Sequence, residues 1–204
     1  MQIDFDQLSP NAVYFNIIQT LVPRPIAWVL SENRSGSYNL APFSYFTAVS
    51  SNPPLLMISV GKKPDGSDKD TLINIEQRKE FIIHIPHFDQ LTEMNESSAT
   101  LPEGDSELER LKLETTAMEG IRLPRLKESR IAFACECYEI HEIGNTPQAM
   151  ILGKVQSLYI DDNIAVNDPK GRLKVDTEKL QPVSRLGASE YMRSGEIITL
   201  GRPR

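Results

Sequence analysis

Two cysteines and three histidines in 204 residues leave little for a disulfide framework or a zinc site. Cys135 and Cys137 stand two apart in "AFACECYEI". On a strand both point to one face, too splayed for an ordinary disulfide, so they read as small apolar core residues. His84 and His87 are separated by Pro86, and no further His or Cys lies near in sequence to complete a zinc set. His84, in "EFIIHIP", reads as a half-buried strand histidine, and His141 as a polar residue beside a loop.

Basic charge is also short. Against 28 Asp and Glu there are 22 Lys and Arg, a net charge of -6, which provides no field for nucleic acid or anionic lipid. No run approaches the roughly 18 uninterrupted apolar residues of a spanning helix. The N-terminal "MQIDFDQLSPNAVYF" lacks the basic and apolar regions of a secretory signal. A soluble, cytoplasmic protein without nucleic-acid or membrane partners is expected.

The familiar catalytic signatures are missing as well. Gly61 and Gly66 have P-loop separation but are followed by Ser67 and Asp68, where Lys and then Ser or Thr would grip phosphate and magnesium. No GxSxG elbow is present, and no dinucleotide glycine pattern opens a helix after a strand. Asp161 and Asp162 sit in a polar turn and read as solvated.

What is present is mainly strand. Residues 25–30, 40–49, 54–61, 80–86, 130–140 and 148–160 are rich in β-branched and aromatic residues and bounded by Pro, Gly, Asn and Ser. Helical patterns begin at Asp70 and Phe88, with a short one near "GASEYMRSG". The polar stretch 97–130 reads as a surface excursion that still sets Leu108 and Leu111 at helical spacing. One domain over residues 1–204, mainly β, a barrel with a few peripheral helices, follows more naturally than alternating βαβ units.

Two stretches invite chemistry. In "RPIAWVLSENRSGSYNLAPFSYF" an apolar hairpin keeps Asn39, Pro42 and Ser44 among its aromatics, and Pro42 interrupts a ladder so that backbone groups can meet a ligand. In "SVGKKPDGSDKDTLINI" a strand ends at Val60 and Lys62, Lys63 and Lys69 gather beside a helix that Asp70 or Thr71 can cap. Free N–H groups and the positive dipole end there suit a phosphate. A capped surface helix with solubilising lysines has the same pattern. With no acid, base or nucleophile set in view, catalysis is expected only if a cofactor such as a flavin does the chemistry.

Taken in order, "RPIAWV", "NLAPFSYFTAVSSNPPLLMISVG", "KDTLINI" and "PVSRLGASEYM" resemble the flavin reductase-like family, in its flavoredoxin-like branch related to nitrilotriacetate monooxygenase component B. The resemblance covers most of the chain. It implies a Greek-key split β-barrel, a homodimer with FMN near the subunit interface, and NADH or NADPH as electron donor, with a monooxygenase or other redox partner. It carries cofactor contacts over to Asn39, Leu40, Ala41 and Ser44 on the isoalloxazine and ribityl side, and to Ser59, Val60 and Gly61 at the adjoining strand end. Lys69, Asp70 and Thr71 fall on the phosphate side, Arg24 and Trp28 on the neighbouring strand, and Arg185 and Tyr191, with Leu186 and Gly187, in the C-terminal pattern. Many relatives have a "GDH" element whose His lies near the nicotinamide, where this chain has "GNTPQAMILG", and Asn where it has His84. An FMN oxidoreductase, an electron carrier reduced by a protein partner and a barrel without cofactor are the three readings this leaves.

Overall fold

A computed structural model describes residues 1–145, 148–201 and 203. Helix α1 (Pro10–Thr20) starts at Ser9, whose hydroxyl accepts the Ala12 N–H, with Pro10 pre-set for the first turn. Strands β1 (Arg24–Pro25), β2 (Ala27–Glu32), β3 (Tyr38–Phe43), β4 (Phe46–Ser51) and β5 (Pro54–Val60) follow, then helix α2 (Asp70–Arg78) and β6 (Glu80–His84). Short helices α3 (Leu91–Glu96) and α4 (Glu107–Leu111) precede the hairpin β7 (Thr115–Met118) and β8 (Ile121–Leu126). The long strands β9 (Ile131–Ile143) and β10 (Gln148–Ile160) come next. The chain continues through β11 (Ala165–Asn167), β12 (Leu173–Val175), α5 (Thr177–Leu180), β13 (Val183–Arg185) and β14 (Tyr191–Arg193).

Seven strands form one antiparallel sheet in the order β3-β2-β6-β9-β10-β5-β4. Its two edge strands, β3 and β4, are consecutive in the chain and separated only by Ser44 and Tyr45. A sheet whose ends are joined by so short a link must curl until those ends approach each other; within that link the Tyr45 carbonyl accepts from the Ser59 N–H at 2.9 Å, which carries the β4–β5 ladder one residue into the corner. The single strand read over 40–49 is therefore two strands on opposite edges. The apolar run continues through the corner and hides it from a sequence pattern.

Strand β2 shows why the hairpin is apolar without alternation: both of its faces are covered. Ala27 and Val29 point to an interior cluster with Ile58, Val60, Phe81, Ile83 and Ile151. Trp28 and Leu30 point the other way, to Leu40, Met94, Leu108, Leu123 and Leu126. That second cluster is roofed by α3, α4 and the β7–β8 hairpin, so the polar stretch 97–130 covers core through a few well-placed apolar residues.

Other elements match or depart for local reasons. Strand β10 spans the segment read from the sequence, 148–160. The segment near "GASEYMRSG" is a tight turn and strand, because Leu186 and Glu190 bond across Gly187 and Ala188 and Tyr191 pairs with Arg185. Cys135 and Cys137 are both free, and both pack on the interior cluster. Burial pushes the Cys135 thiol up to about 12, which keeps it protonated and unreactive.

His84 is fully buried, not half-buried. The Leu126 N–H donates to its Nε2 at 3.0 Å, so Nδ1 carries the proton and donates to the Trp28 carbonyl, also at 3.0 Å. The ring is a neutral cross-link between β2, β6 and β8.

Candidate functional site

The outer edge of β3 is where the predicted residues gather. In an antiparallel strand the N–H and C=O of alternate residues face alternate edges. The Leu40 N–H points outward and donates to the Glu107 carboxylate at 2.8 Å, and the Tyr38 carbonyl accepts from Ser106 at 2.6 Å. By the same parity the Pro42 carbonyl faces outward, and Pro42 brings no N–H that would need a partner there.

Two recesses lie along this edge. The first, about 60 Å³, is lined by Asn39, Ala41, Lys63, Lys69, Asp70 and Thr71, closed by the segment 97–101 and Glu107. The second, about 220 Å³, includes Arg24, Pro42, Ser44, Asn95, Arg185 and Tyr191. Ser98 lines both, so they are neighbouring parts of one groove.

The first recess sits at the start of α2. Lys69 occupies the N-cap position without a side-chain cap, leaving the first amides of the helix without an acceptor from its side chain. Lys63 is held by Asp70 at 3.0 Å, and Lys62 pairs with Asp68. Lys69 has no carboxylate within 4.0 Å among the described residues; its ammonium stands 5.5 Å from the Phe43 ring centroid, and burial lowers its pKa. A partly desolvated cation without a counter-ion, beside open helix amides, fits an anion such as a phosphate.

The carboxylate of Glu107 belongs to this recess and was not read from the sequence. It is buried, and burial raises its pKa while the Leu40 N–H works against that. Only the helical spacing of Leu108 and Leu111 was legible locally, and nothing in "SELERL" tells that the glutamate turns inward against a strand 67 residues away.

Asn39 has a structural reason to be polar. Its amide donates to Thr71 at 2.9 Å and Ser31 at 3.3 Å, and Asn74 extends the network to Ser31 and Asn33. This buried network docks the first turns of α2 on β2 and β3, which fixes the direction of the helix amides.

In the second recess Arg24 is 5% exposed and its guanidinium is largely committed. It donates to the carbonyls of Ile18 at 2.7 Å, Leu21 at 2.6 Å and Leu186 at 2.8 Å, and to Ser44 at 3.4 Å. Arg24 thus ties the end of α1 to the C-terminal segment and shapes the groove. The Arg185 guanidinium lies 4.4 Å from the Tyr191 ring centroid, and the Tyr191 hydroxyl donates to Asn95 at 2.8 Å. A Cβ at Gly187 would meet the end of the Gln19 side chain at 2.0 Å, so a larger residue there would push the Gln19 amide aside.

The remaining expected residues stand behind the groove. Leu40, Val60 and Trp28 are fully buried, and the Trp28 indole N–H donates to Ser97 at 2.9 Å. Ser59 bonds Gln148 at 3.0 Å, and Gly61 opens the loop that carries Lys63. Of the segment in place of "GDH", Thr146 and Pro147 lie outside the described residues.

A family model described as "Flavin reductase like domain" matches residues 19–173. The chain belongs to the flavin reductase-like family. That span holds the β3 edge and the start of α2, while Tyr14 and Ile18 before it and Arg185, Ala188 and Tyr191 beyond it also line the groove. Among relatives, YwrF of Bacillus subtilis is 36% identical over 203 residues, 97% of each chain. The solved nitrilotriacetate monooxygenase component B from Bacillus cereus is 32% identical, covers 98% of each chain and has a TM-score of 0.89. The Pseudomonas fluorescens 2-nitrobenzoate 2-nitroreductase NbaA is 28% identical, covers 100% of this chain and 96% of its own, and has a TM-score of 0.87. The split-barrel architecture of the flavin reductase-like family agrees with a large antiparallel sheet curled edge to edge. Among the described residues no helix is long and apolar enough to cross a membrane.

Proposed function

We propose that the protein is a single-domain, Greek-key flavoprotein oxidoreductase that binds FMN along the β3 edge and accepts hydride from NADH or NADPH. The observation that carries this reading is the unpaired Lys69 ammonium beside the open amides of α2, one end of a groove that continues past Pro42 and Ser44. When bound, the flavin supplies the redox chemistry at its N5. Lys69 and the amides of Asp70 and Thr71 hold its phosphate. The strand edge from Asn39 to Ser44 orients the ring system, and backbone groups there offset charge that develops on it.

The two recesses are smaller than the roughly 300–1,000 Å³ usual for such ligands. A second copy would complete the wall. Supporting this, β4 is an edge strand with Val49 exposed, and Tyr14 and Phe15 of α1 are exposed too, with Tyr14 at the groove itself. A homodimer is the expected mass in light scattering, and a monomer that binds FMN with full affinity would remove the shared site.

A second reading, an electron carrier reduced by a protein partner and serving a monooxygenase or other redox enzyme, rests on the lack of histidine in "GNTPQAMILG". Anaerobic stopped-flow mixing of the FMN-loaded protein with NADH and NADPH tests both. Rapid bleaching of the flavin at modest nucleotide concentration is expected, and bleaching only after addition of a reduced protein donor would favour the carrier. Protein that neither copurifies with FMN nor binds it would rule out both and favour the barrel without cofactor.

A further inference from the structure

A cleft of about 620 Å³, larger than either recess of the groove along β3, lies apart from that groove. It opens where β2, the turn before α3, the start of β9 and the segment after β10 meet. Trp28 is common ground, lining this cleft while its indole N–H reaches Ser97 on the wall of the first recess. Leu113 and Ile164 add apolar surface, and the rest of the lining is polar or charged.

The cations at its rim are already engaged. Arg130 donates to the Asp89 carboxylate at 3.1 Å and to the carbonyls of Lys179 at 2.7 Å and Leu180 at 3.2 Å. The Lys127 ammonium bonds Glu114 at 2.6 Å, and that of Lys179 donates to the Asn163 carbonyl at 3.3 Å. The buried atoms left without a partner here are of one kind. His87 Nδ1 and Glu93 Oε2 are buried acceptor atoms with no hydrogen-bond partner among the described residues.

His87 is only 4% exposed. Its Nε2–H donates to the Glu128 carbonyl at 3.1 Å, which leaves Nδ1 as a bare lone pair. The nearby Gln90 N–H is taken by the carbonyl of His87 itself at 2.9 Å. Facing Nδ1 at 3.6 Å is a carboxylate oxygen of Asp89, a second acceptor. Acceptors set against each other in a half-enclosed site call for a donor-rich group. A metal ion is a poorer match, since no cluster of three or more His, Cys, Asp or Glu with metal-binding geometry occurs among the described residues.

We propose that this cleft binds a small molecule carrying a protonated primary amine on an apolar, preferably aromatic, body. The ammonium faces the acceptors that line the cleft, His87 Nδ1 and the carboxylates of Glu93 and Asp89, while the body lies against the half-buried Leu113, above the buried Trp28 and Ile164. The inference does not depend on the flavin reading.

Calorimetric titration of the purified protein, whether or not it carries FMN, with phenethylamine, 2-phenylethanol and 3-phenylpropionate tests it, with fluorescence of Trp28, the only tryptophan, as the local reporter. Saturable amine binding that perturbs Trp28 is expected, roughly tenfold or more tighter than the alcohol, with no binding of the acid. Glu93→Gln, at a half-buried position that tolerates an isosteric amide, should weaken the amine about tenfold and leave the alcohol and FMN affinities unchanged. Three outcomes would overturn the proposal: amine and alcohol bound alike, an unaltered amine affinity in Glu93→Gln, or no saturation up to about 10 mM.

Discussion

Replacing Lys69 and Thr71 together by alanine is expected to raise the Kd for FMN by roughly a hundredfold, about 3 kcal/mol. The ammonium of Lys69 is the unpaired cation of the recess, and Thr71 lies in the first turn of α2, whose N–H groups point at the same space. Each charge-assisted contact to a phosphate contributes about 1.5–3 kcal/mol where water is partly excluded. Thr71→Ala also removes the oxygen that accepts from Asn39, which loosens the anchoring of the helix start and contributes to the loss. Lys69→Met separates the two effects, because it keeps an apolar stem against Phe43 and leaves the Asn39 network intact. Fluorescence titration of FMN should show about a tenfold loss for Lys69→Met, shrinking in high salt. An unchanged affinity in both variants would place the phosphate elsewhere.

Acid should destabilise the protein through His84. Burial lowers its folded-state pKa to about 4 from the ordinary value of 6.5, against the favourable bond to the Trp28 carbonyl. Between these values the unfolded chain takes up a proton that the folded chain refuses, so stability falls as pH drops from 6.5 towards 4 and this contribution levels off below. The loss is of order 3 kcal/mol across that window. His87, lowered in the same direction by burial, adds to it with the same sign. Urea unfolding at stepped pH should therefore show a smaller acid loss for His84→Asn than for the wild type. The ring nitrogen shifts should show the proton on Nδ1 throughout neutral pH. A His84 that titrates near 6.5 by NMR would contradict the buried, neutral ring.

How much of this was legible depends on how local the cause was. Strand β10 could be read to the residue because a run of apolar and aromatic residues is bounded by Pro147 and Asp161, and α2 because Asp70 and Arg78 complement its dipole. The β3–β4 corner could not, since Phe43 to Phe46 keeps an apolar character while the chain crosses from one sheet edge to the other. Nor could the hairpin β7–β8, whose buried Met118, Leu123 and Leu126 are diluted by charged neighbours. In the groove, Lys69 to Thr71 were visible as a motif. The roles of Glu107, Arg24 and Asn39 were not, because each is decided by a partner far along the chain. The cleft at Trp28 is the extreme case, assembled from residues between 28 and 179 with no common pattern.

The order of the seven strands also governs what a ribosome must finish first. Strand β5 has β4 as its early partner, but its other neighbour is β10, which ends at Ile160. Until β9 and β10 emerge, β5 and β6 keep one edge unpaired, and the interior cluster lacks Ile151 and Cys135. Synthesis halted in the first 147 residues therefore yields sticky half-sheets instead of a smaller stable barrel, and folding has to wait for the long β9–β10 arm to bridge them.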